Sequence, residues 1–226
     1  MDEWSRSADK MKTVPSHSSE VPAKEVIDFY KFLKKKGVTN GRLLDLGSGK
    51  GRHALFFAKR GFHVDCIDYI PFANQTLIQR AHKYNLSKSI NVTLGEVDSK
   101  WPYPSNQFDV ILDSLTSVSI EIKAGREAFI AEVFRTLKPN GYVLIRAVST
   151  NDEWEKYLME NHPGEEKNTS IWPDTGKVQK NFSESELKEW VSKFAIIEMK
   201  EIKKKAYKLG KNFTATNFYL IITKLS

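Results

Sequence analysis

Apolar positions follow two alternating patterns along the chain, short unbroken runs and longer runs with helical spacing. The two patterns alternate five times between residues 42 and 147, with short connections. The predicted strands are Arg42–Leu46, Phe62–Asp68, Asn91–Val97, Phe108–Asp113 and Tyr142–Ala147. Because these runs are apolar almost throughout, both faces of each strand are expected to be buried against helices. The pattern therefore predicts an α/β fold built on a mostly parallel sheet.

Helical spacing and turn residues place the other elements. The predicted helices are Ala23–Lys36, Arg52–Arg60, Asn74–Tyr84, Ile122–Leu137 and Ser183–Phe194. Ser183 followed by Glu186 is typical of a capping box, which marks the start of a helix. Pro139–Gly141 is predicted to be the turn before the fifth strand. Two further runs, Ala195–Met199 and Asn217–Thr223, are predicted to pair as an antiparallel hairpin at the sheet edge.

The regular pattern breaks at both ends of this region. Residues 1–22 are polar and are expected to form an arm or lid, and residues 23–226 a single domain. Residues 150–180 are long for a loop and are predicted to be an insertion on the substrate side. The side chains that could form an apolar lid over a ligand, or equally pin loops to the core, are Trp4, Met11, Trp154, Tyr157 and Trp172.

Composition excludes some classes of protein. Of the 226 residues, 40% are hydrophobic and 28% charged, as in ordinary globular domains, and no apolar stretch is long enough to predict a membrane span. The N-terminus lacks the apolar segment of a secretory signal. The only cysteine, Cys66, cannot form an internal disulfide, so we expect a reducing, cytoplasmic location. The net charge of +7 is compatible with anionic partners but does not establish one.

The chemistry is concentrated in a glycine-rich turn after the first strand. The segment Asp45–Gly51 has the spacing G-x-G-x-G, with an acid two residues before the first glycine. Glycines at such a turn let the backbone approach a ligand closely. Dinucleotide sites instead have G-x-G-x-x-G, and Asp45 would repel a pyrophosphate. An acid here suits a cationic ligand, and S-adenosylmethionine carries both an ammonium and a sulfonium group.

This segment resembles motif I of the class I, Rossmann-like S-adenosylmethionine-dependent methyltransferases. Through Asp68 it is similar to their small-molecule and tellurite-resistance-like branch, and the resemblance extends over residues 41–148. It implies a doubly wound, mostly parallel seven-stranded sheet with an antiparallel C-terminal hairpin. It also implies S-adenosylmethionine as the cofactor.

The resemblance implies a role for each polar residue at the strand ends. Asp68 would accept hydrogen bonds from the ribose, Tyr69 would pack beside the adenine, and Asp98 would bind its amino group. Asp113 would contact the methionine part of the cofactor or act as a base, and His53 would bind the carboxylate or cap the helix start. The full set of expected cofactor-binding residues is Asp45, Gly47, Ser48, Gly49, Gly51, His53, Asp68, Tyr69, Asp98, Ser99 and Asp113.

Methyl transfer by direct displacement needs alignment more than a catalytic triad, because the cofactor is already activated. We therefore assign no catalytic residue from the sequence, and no Cys/His spacing predicts a metal. The fourth strand ends in Asp113-Ser114-Leu115-Thr116, without the Pro-Pro of amino-methylating DNA enzymes. Cys66 lies inside a predicted strand, which disfavours a cysteine-dependent cytosine methyltransferase.

Several functions remain compatible with these observations. The first is methyl transfer to a small molecule held under the aromatic lid. The second is transfer to RNA or protein docked on the basic tract Lys200–Lys208, with Lys211 beyond it. The third is a protein that binds S-adenosylmethionine without catalysis. A nucleotide-dependent oxidoreductase is disfavoured by the glycine spacing, and the sequence does not determine the oligomeric state.

Overall fold

The structure is a computed structural model and describes residues 19–208 and 210–225. The predicted arm, with Trp4 and Met11, lies almost entirely outside the described residues. The strands are β1 Gly41–Leu46, β2 Phe62–Asp68, β3 Ile90–Leu94, β4 Phe108–Ser114, β5 Leu137–Val148, β6 Thr169–Ile171, β7 Val178–Lys180, β8 Ala195–Lys208 and β9 Lys211–Thr223. The helices are α1 Lys24–Lys35, α2 Arg52–Ala58, α3 Pro71–Lys83, α4 Lys123–Thr136, α5 Glu153–Asn161 and α6 Glu184–Trp190.

Seven strands form the central sheet in the order β3-β2-β1-β4-β5-β9-β8. Strands β1 to β5 pair in parallel, and β9 and β8 complete the sheet as an antiparallel hairpin. The strand order reverses direction between β1 and β4. Ligands bind in such sheets beyond the carboxyl ends of the strands at this reversal. The predicted Rossmann-like fold is confirmed.

Helices cover both faces of the sheet, as the unbroken apolar strands predicted. Helices α1, α2 and α3 bury one face, where Leu43 packs in the same cluster as Phe29 and Phe57. Helices α4 and α6 bury the opposite face, where the adjacent residue Leu44 packs in the same cluster as Phe129. Successive strand residues therefore contribute to different cores, which explains why no polar alternation is visible in their sequence.

Some predicted boundaries are wrong for local physical reasons. Strand β3 ends at Leu94 and not at Val97, because its partner β2 ends at Asp68, and the N–H of Gly95 makes the last bond of their ladder to the carbonyl of Asp68 (3.2 Å). Helix α3 begins at Pro71, three residues earlier than predicted, since proline is favourable in a first helical turn. The predicted turn Pro139–Gly141 lies within β5, at a break in its pairing with β4. The capping box before α6 is confirmed.

The insertion at residues 150–180 has its own secondary structure. It contains α5 and a small two-stranded sheet formed by β6 and β7. Two hydrogen bonds of 2.9 Å hold its ends together. The N–H of Phe182 donates to the carbonyl of Val148, and the N–H of Thr150 donates to the carbonyl of Phe182. The insertion therefore leaves and rejoins the domain at one place, above the end of β5.

Strands β8 and β9 are much longer than predicted, and their pairing continues out to Lys208 and Lys211. The basic tract is thus part of a regular hairpin and not of its rim alone.

Within the described ranges, none of the helices combines the length and apolar character that a bilayer span requires.

Candidate functional site

A cavity of about 630 Å³ lies at the carboxyl ends of the strands, where the sheet order reverses. At one end it is lined by the glycine loop Gly47–Gly49 and by Asp68 and Tyr69. At the other end it is lined by the insertion. One continuous space therefore connects the glycine loop to the segment that the sequence predicted to face the substrate.

The three glycines of the loop have different functions. All three have positive φ angles, 59° at Gly47, 53° at Gly49 and 81° at Gly51. A Cβ atom at Gly47 would clash with Thr116, and one at Gly51 would clash with Leu77. At Gly49, no described atom lies within 4 Å of such a Cβ. Gly47 and Gly51 are thus required for packing, whereas Gly49 leaves room for a ligand beside the backbone.

Asp68 connects the end of β2 to the glycine loop. Its Oδ2 accepts a hydrogen bond from the N–H of Gly49 (2.8 Å), and its Oδ1 accepts one from the N–H of Ile70 (2.9 Å). The residue is buried, and burial raises the pKa of its carboxyl although both N–H groups act to lower it. The adjacent Tyr69 lines the cavity and is 40% exposed.

Asp45 is buried in β1 and does not line the cavity directly. Burial raises the pKa of its carboxyl to about 8, against the opposing effect of the positive charge on Arg52. Its Oδ2 has no hydrogen-bond partner among the described residues. A buried carboxyl oxygen without a partner carries a large desolvation cost, which a nearby cation would reduce.

His53 and Arg52 line the cavity from the first turn of α2. The backbone N–H of Ala23 donates to Nε2 of His53 (3.4 Å). Burial, with the positive charges of Arg52 and Arg146 nearby, holds the pKa of His53 well below its usual value. His53 is therefore neutral at physiological pH, and Arg52 supplies positive charge at this wall.

Asp113, which the resemblance implied would contact the methionine part of the cofactor or act as a base, is not among the residues that line the cavity. It is fully buried, and its Oδ1 accepts hydrogen bonds from the N–H groups of Thr116 (2.9 Å) and Ser117 (3.2 Å). Burial raises its pKa to about 6. The next residue, Ser114, lines the cavity instead, and its Oγ accepts from Nη1 of Arg146 (2.8 Å). Ser114 was not among the predicted site residues, because strand alternation places these two neighbours on opposite sides without showing which side lines the cavity.

Three other expected site residues, Gly51, Asp98 and Ser99, are not among the described residues that line the cavity. Asp98 and Ser99 are exposed in the turn that follows β3. The hydroxyl of Ser99 donates to the carbonyl of Glu96 (3.3 Å). The structure therefore brings most of the expected residues together around Gly49 and leaves Asp98 and Ser99 at the surface.

The aromatic residues of the insertion have two different positions. Trp172 lines the cavity. Trp154 instead stacks on Tyr157 (5.5 Å between ring centroids) and meets Phe213 of β9 edge-on (5.2 Å), which fastens α5 to the hairpin. Sequence reasoning missed three polar residues that line this end of the cavity, namely Asp152, Glu155 and Gln179.

Comparison with known proteins gives the same architecture. Residues 43–141 match the family described as "Methyltransferase domain". An uncharacterized protein from Haemophilus influenzae is 26% identical over 121 residues, which span 53% of this chain and 47% of that protein. The match thus covers less than half of that relative's length.

Three solved structures share the fold. A SAM-dependent methyltransferase from Methanosarcina mazei superposes with a TM-score of 0.74 at 22% identity, over 87% of this chain and 98% of its own. TehB from Haemophilus influenzae superposes with a TM-score of 0.65 at 19% identity, over 90% of this chain and 62% of its own. The 1,6-didemethyltoxoflavin-N1-methyltransferase of Burkholderia thailandensis, with bound 1,6-didemethyltoxoflavin and S-adenosylhomocysteine, gives 0.67 at 13% identity, over 99% and 88%.

At these identities the structural likenesses show the fold alone. The sequence that matches the family, residues 43–141, covers less than half of the chain. That sequence contains the glycine loop and Asp68, which lie together at the reversal of the sheet. Residues 43–141 thus carry a sequence of the family described as "Methyltransferase domain", on a fold shared with the SAM-dependent methyltransferase from Methanosarcina mazei.

Proposed function

We propose that this protein transfers a methyl group from S-adenosylmethionine to a small-molecule acceptor held beneath the insertion. The observation that carries the proposal is the single cavity that joins Gly49 to the insertion residue Trp172. Its volume of about 630 Å³ is in the range of small-ligand pockets. Residues of α5 and of the β6–β7 hairpin form the wall of this space opposite the glycine loop, which suits a small acceptor.

The residues at the glycine-loop end fit the cofactor. Gly49 leaves space for a ligand against the backbone. A cation bound near the buried Asp45, whose Oδ2 has no partner among the described residues, would favour the ionised form of that carboxyl. Asp68 is positioned to accept hydrogen bonds from a diol, and Arg52 to attract a carboxylate. When bound, S-adenosylmethionine supplies a methyl group on a sulfonium leaving group.

At the acceptor end the chain's part is to orient the acceptor and exclude water. Trp172 offers a flat apolar surface, and the buried side chain of Gln179 offers hydrogen bonds. The Burkholderia thailandensis structure, which carries its small-molecule ligand on the same fold, supports an acceptor of this size.

The second candidate, an RNA or protein acceptor docked on the β8–β9 hairpin, is weakened by charge pairing. Lys204 forms an ion pair with the buried Glu25, and Lys200 pairs with Glu198 (2.6 Å). Part of the positive charge in the basic tract is therefore already neutralised. The third candidate, binding without catalysis, differs from the first only in turnover.

The testing experiment is calorimetric titration with S-adenosylmethionine, S-adenosylhomocysteine and NAD, followed by a screen of small molecules for formation of S-adenosylhomocysteine. We expect binding of the first two ligands, none of NAD, and turnover of at least one compound. Absence of S-adenosylmethionine binding would refute the proposal. Binding without turnover on any acceptor class would favour the third candidate. RNA-dependent turnover that falls steeply with salt and is lost in Lys203→Ala/Lys205→Ala would favour the second.

A further inference from the structure

A buried carboxylate lies at the acceptor end of the cavity. Glu155 is in the first turn of α5, is only 3% exposed, and lines the cavity together with Trp172 and Gln179. Buried charged residues are rare unless they are held by partners or have a function.

The Glu155 carboxylate is held in place by a short chain of hydrogen bonds. Its Oε2 accepts from the hydroxyl of Ser170 (2.6 Å), and Oγ of Ser170 accepts from Nδ2 of Asn181 (3.5 Å). Ser170 and Asn181 are both fully buried. Because the Ser170 hydroxyl receives a hydrogen bond from Asn181, its own proton is directed to Glu155. The carboxylate is thus held by Ser170 of the insertion, which is in turn hydrogen-bonded by Asn181, directly after the insertion.

The other acids on the cavity wall have structural contacts or lie elsewhere on it. Asp152 uses its Oδ1 for the N–H of Glu155 (3.0 Å) and its Oδ2 for the N–H of Thr216 (2.8 Å). Asp68 lies at the glycine-loop end, where both oxygens accept backbone N–H groups. Glu121 is exposed to solvent.

We propose that Glu155 is the general base of the methyl transfer, and that the acceptor therefore presents an N–H or O–H group. This inference rests on the proposed function. The acceptor nitrogen or oxygen forms a bond to the methyl carbon as the carbon–sulfur bond breaks and leaves its electron pair on sulfur. The acceptor's N–H or O–H bond also breaks, and its proton passes to the carboxylate of Glu155. Acceptors without such a proton, such as thioethers and tertiary amines, need no base.

The test compares wild type with Glu155→Gln, Glu155→Asp and a control, Glu160→Gln, which alters an exposed acid on the same helix. The compounds are ring N–H heterocycles and phenols, against thioethers and tertiary amines, with S-adenosylhomocysteine formation as the assay. We expect wild type to methylate a protic compound and Glu155→Gln to lower kcat by about 100-fold or more, the scale of general-base catalysis. Glu155→Asp should retain part of the activity, and Glu160→Gln all of it.

Two further measurements separate loss of chemistry from loss of structure. The Kd for S-adenosylhomocysteine and the melting temperature of Glu155→Gln should both stay close to wild type. Wild-type kcat in a folded Glu155→Gln would overturn the inference, as would turnover of aprotic compounds alone. If wild type itself fails to bind S-adenosylmethionine, the proposed function fails with it, and calorimetry on wild type alone distinguishes that case.

Discussion

The backbone N–H of Gly49 donates a 2.8 Å hydrogen bond to Oδ2 of Asp68. This bond joins the loop after β1 to the end of β2, which are nineteen residues apart in sequence. It also places the carboxylate beside the loop position that has room for a ligand. The glycine loop and the acid thus form one structural unit, and a change to either should be measurable in cofactor affinity.

A side chain at Gly49 should abolish cofactor binding while the fold survives. Gly49→Val would place its side chain in open space where the ligand must approach the backbone. We expect calorimetry to detect no S-adenosylmethionine binding. Gly61→Val is the matched control, because Gly61 also has a positive φ (92°) and open space around it but lies away from the cavity. Both variants should lose about 1–3 kcal/mol of stability from backbone strain, and an equal loss of affinity in both would contradict the assignment.

Removal of the Asp68 carboxylate should weaken binding without eliminating it. Asp68→Ala should lower S-adenosylmethionine affinity by about 1–3 kcal/mol, the scale for hydrogen bonds to a charged group. Asp109→Ala is a suitable control, since Asp109 is near the opposite end of the sheet and binds Lys138 (2.7 Å). Unchanged affinity in Asp68→Ala would mean that the ribose contact has been misplaced.

The raised pKa of Asp45 predicts a specific pH dependence of stability. An aspartate that ionises near pH 4 when unfolded but near pH 8 when folded binds more protons in the folded state between those values. The contribution of Asp45 to the stability of the ligand-free protein should therefore fall as the pH rises from about 4 to about 8. Asp45→Asn removes this group, so its melting temperature relative to wild type should increase over the same interval. A constant difference between the two proteins would show that burial does not shift this carboxyl.

The buried ion pair between Glu25 and Arg146 (3.4 Å) should be costly to break. Glu25→Gln leaves a guanidinium with only 7% of its side chain exposed and without this counter-charge. We expect urea unfolding to show a loss of about 3–5 kcal/mol, the range for one-sided removal of a buried pair. Glu184→Gln breaks an exposed pair with Lys188 and should cost about 0.5 kcal/mol or less. Similar losses in both variants would contradict the importance of burial.

Local signals in the sequence were sufficient for the sheet and for the glycine-loop end of the cavity. Unbroken apolar strands require helices on both faces, and the spacing of Gly47, Gly49 and Gly51 directly reflects backbone that other residues adopt poorly. The orientation of a strand's last residues is a different matter. Asp113 and Ser114 are adjacent polar residues at a strand end. The hydrogen bonds from Thr116 and Ser117 to Asp113 decide which of the two lines the cavity.

For the end of the cavity beside the insertion, the sequence predicted which segment lies there but not which side chains line it. Its polar wall depends on contacts between positions far apart in the chain, such as Glu155 with Ser170 and Asp152 with Thr216. The spacing of apolar residues in the sequence does not predict these contacts, because each joins a residue of α5 or its N-cap to a residue on another element. From the sequence, Glu155 in this short amphipathic helix looks like an exposed charge. Only the structure shows that it packs against Ser170 of β6.

The closed base of the insertion, where Phe182 is hydrogen-bonded to Val148 and Thr150, has a consequence for how this protein can evolve. Residues 150–180 can change in length or composition without disturbing any strand pairing that holds Gly49 and Asp68 in register. Substitutions confined to residues 150–180 could therefore change the acceptor. The inherited cofactor end would continue to work throughout, so each intermediate sequence would remain a folded protein on which selection could act.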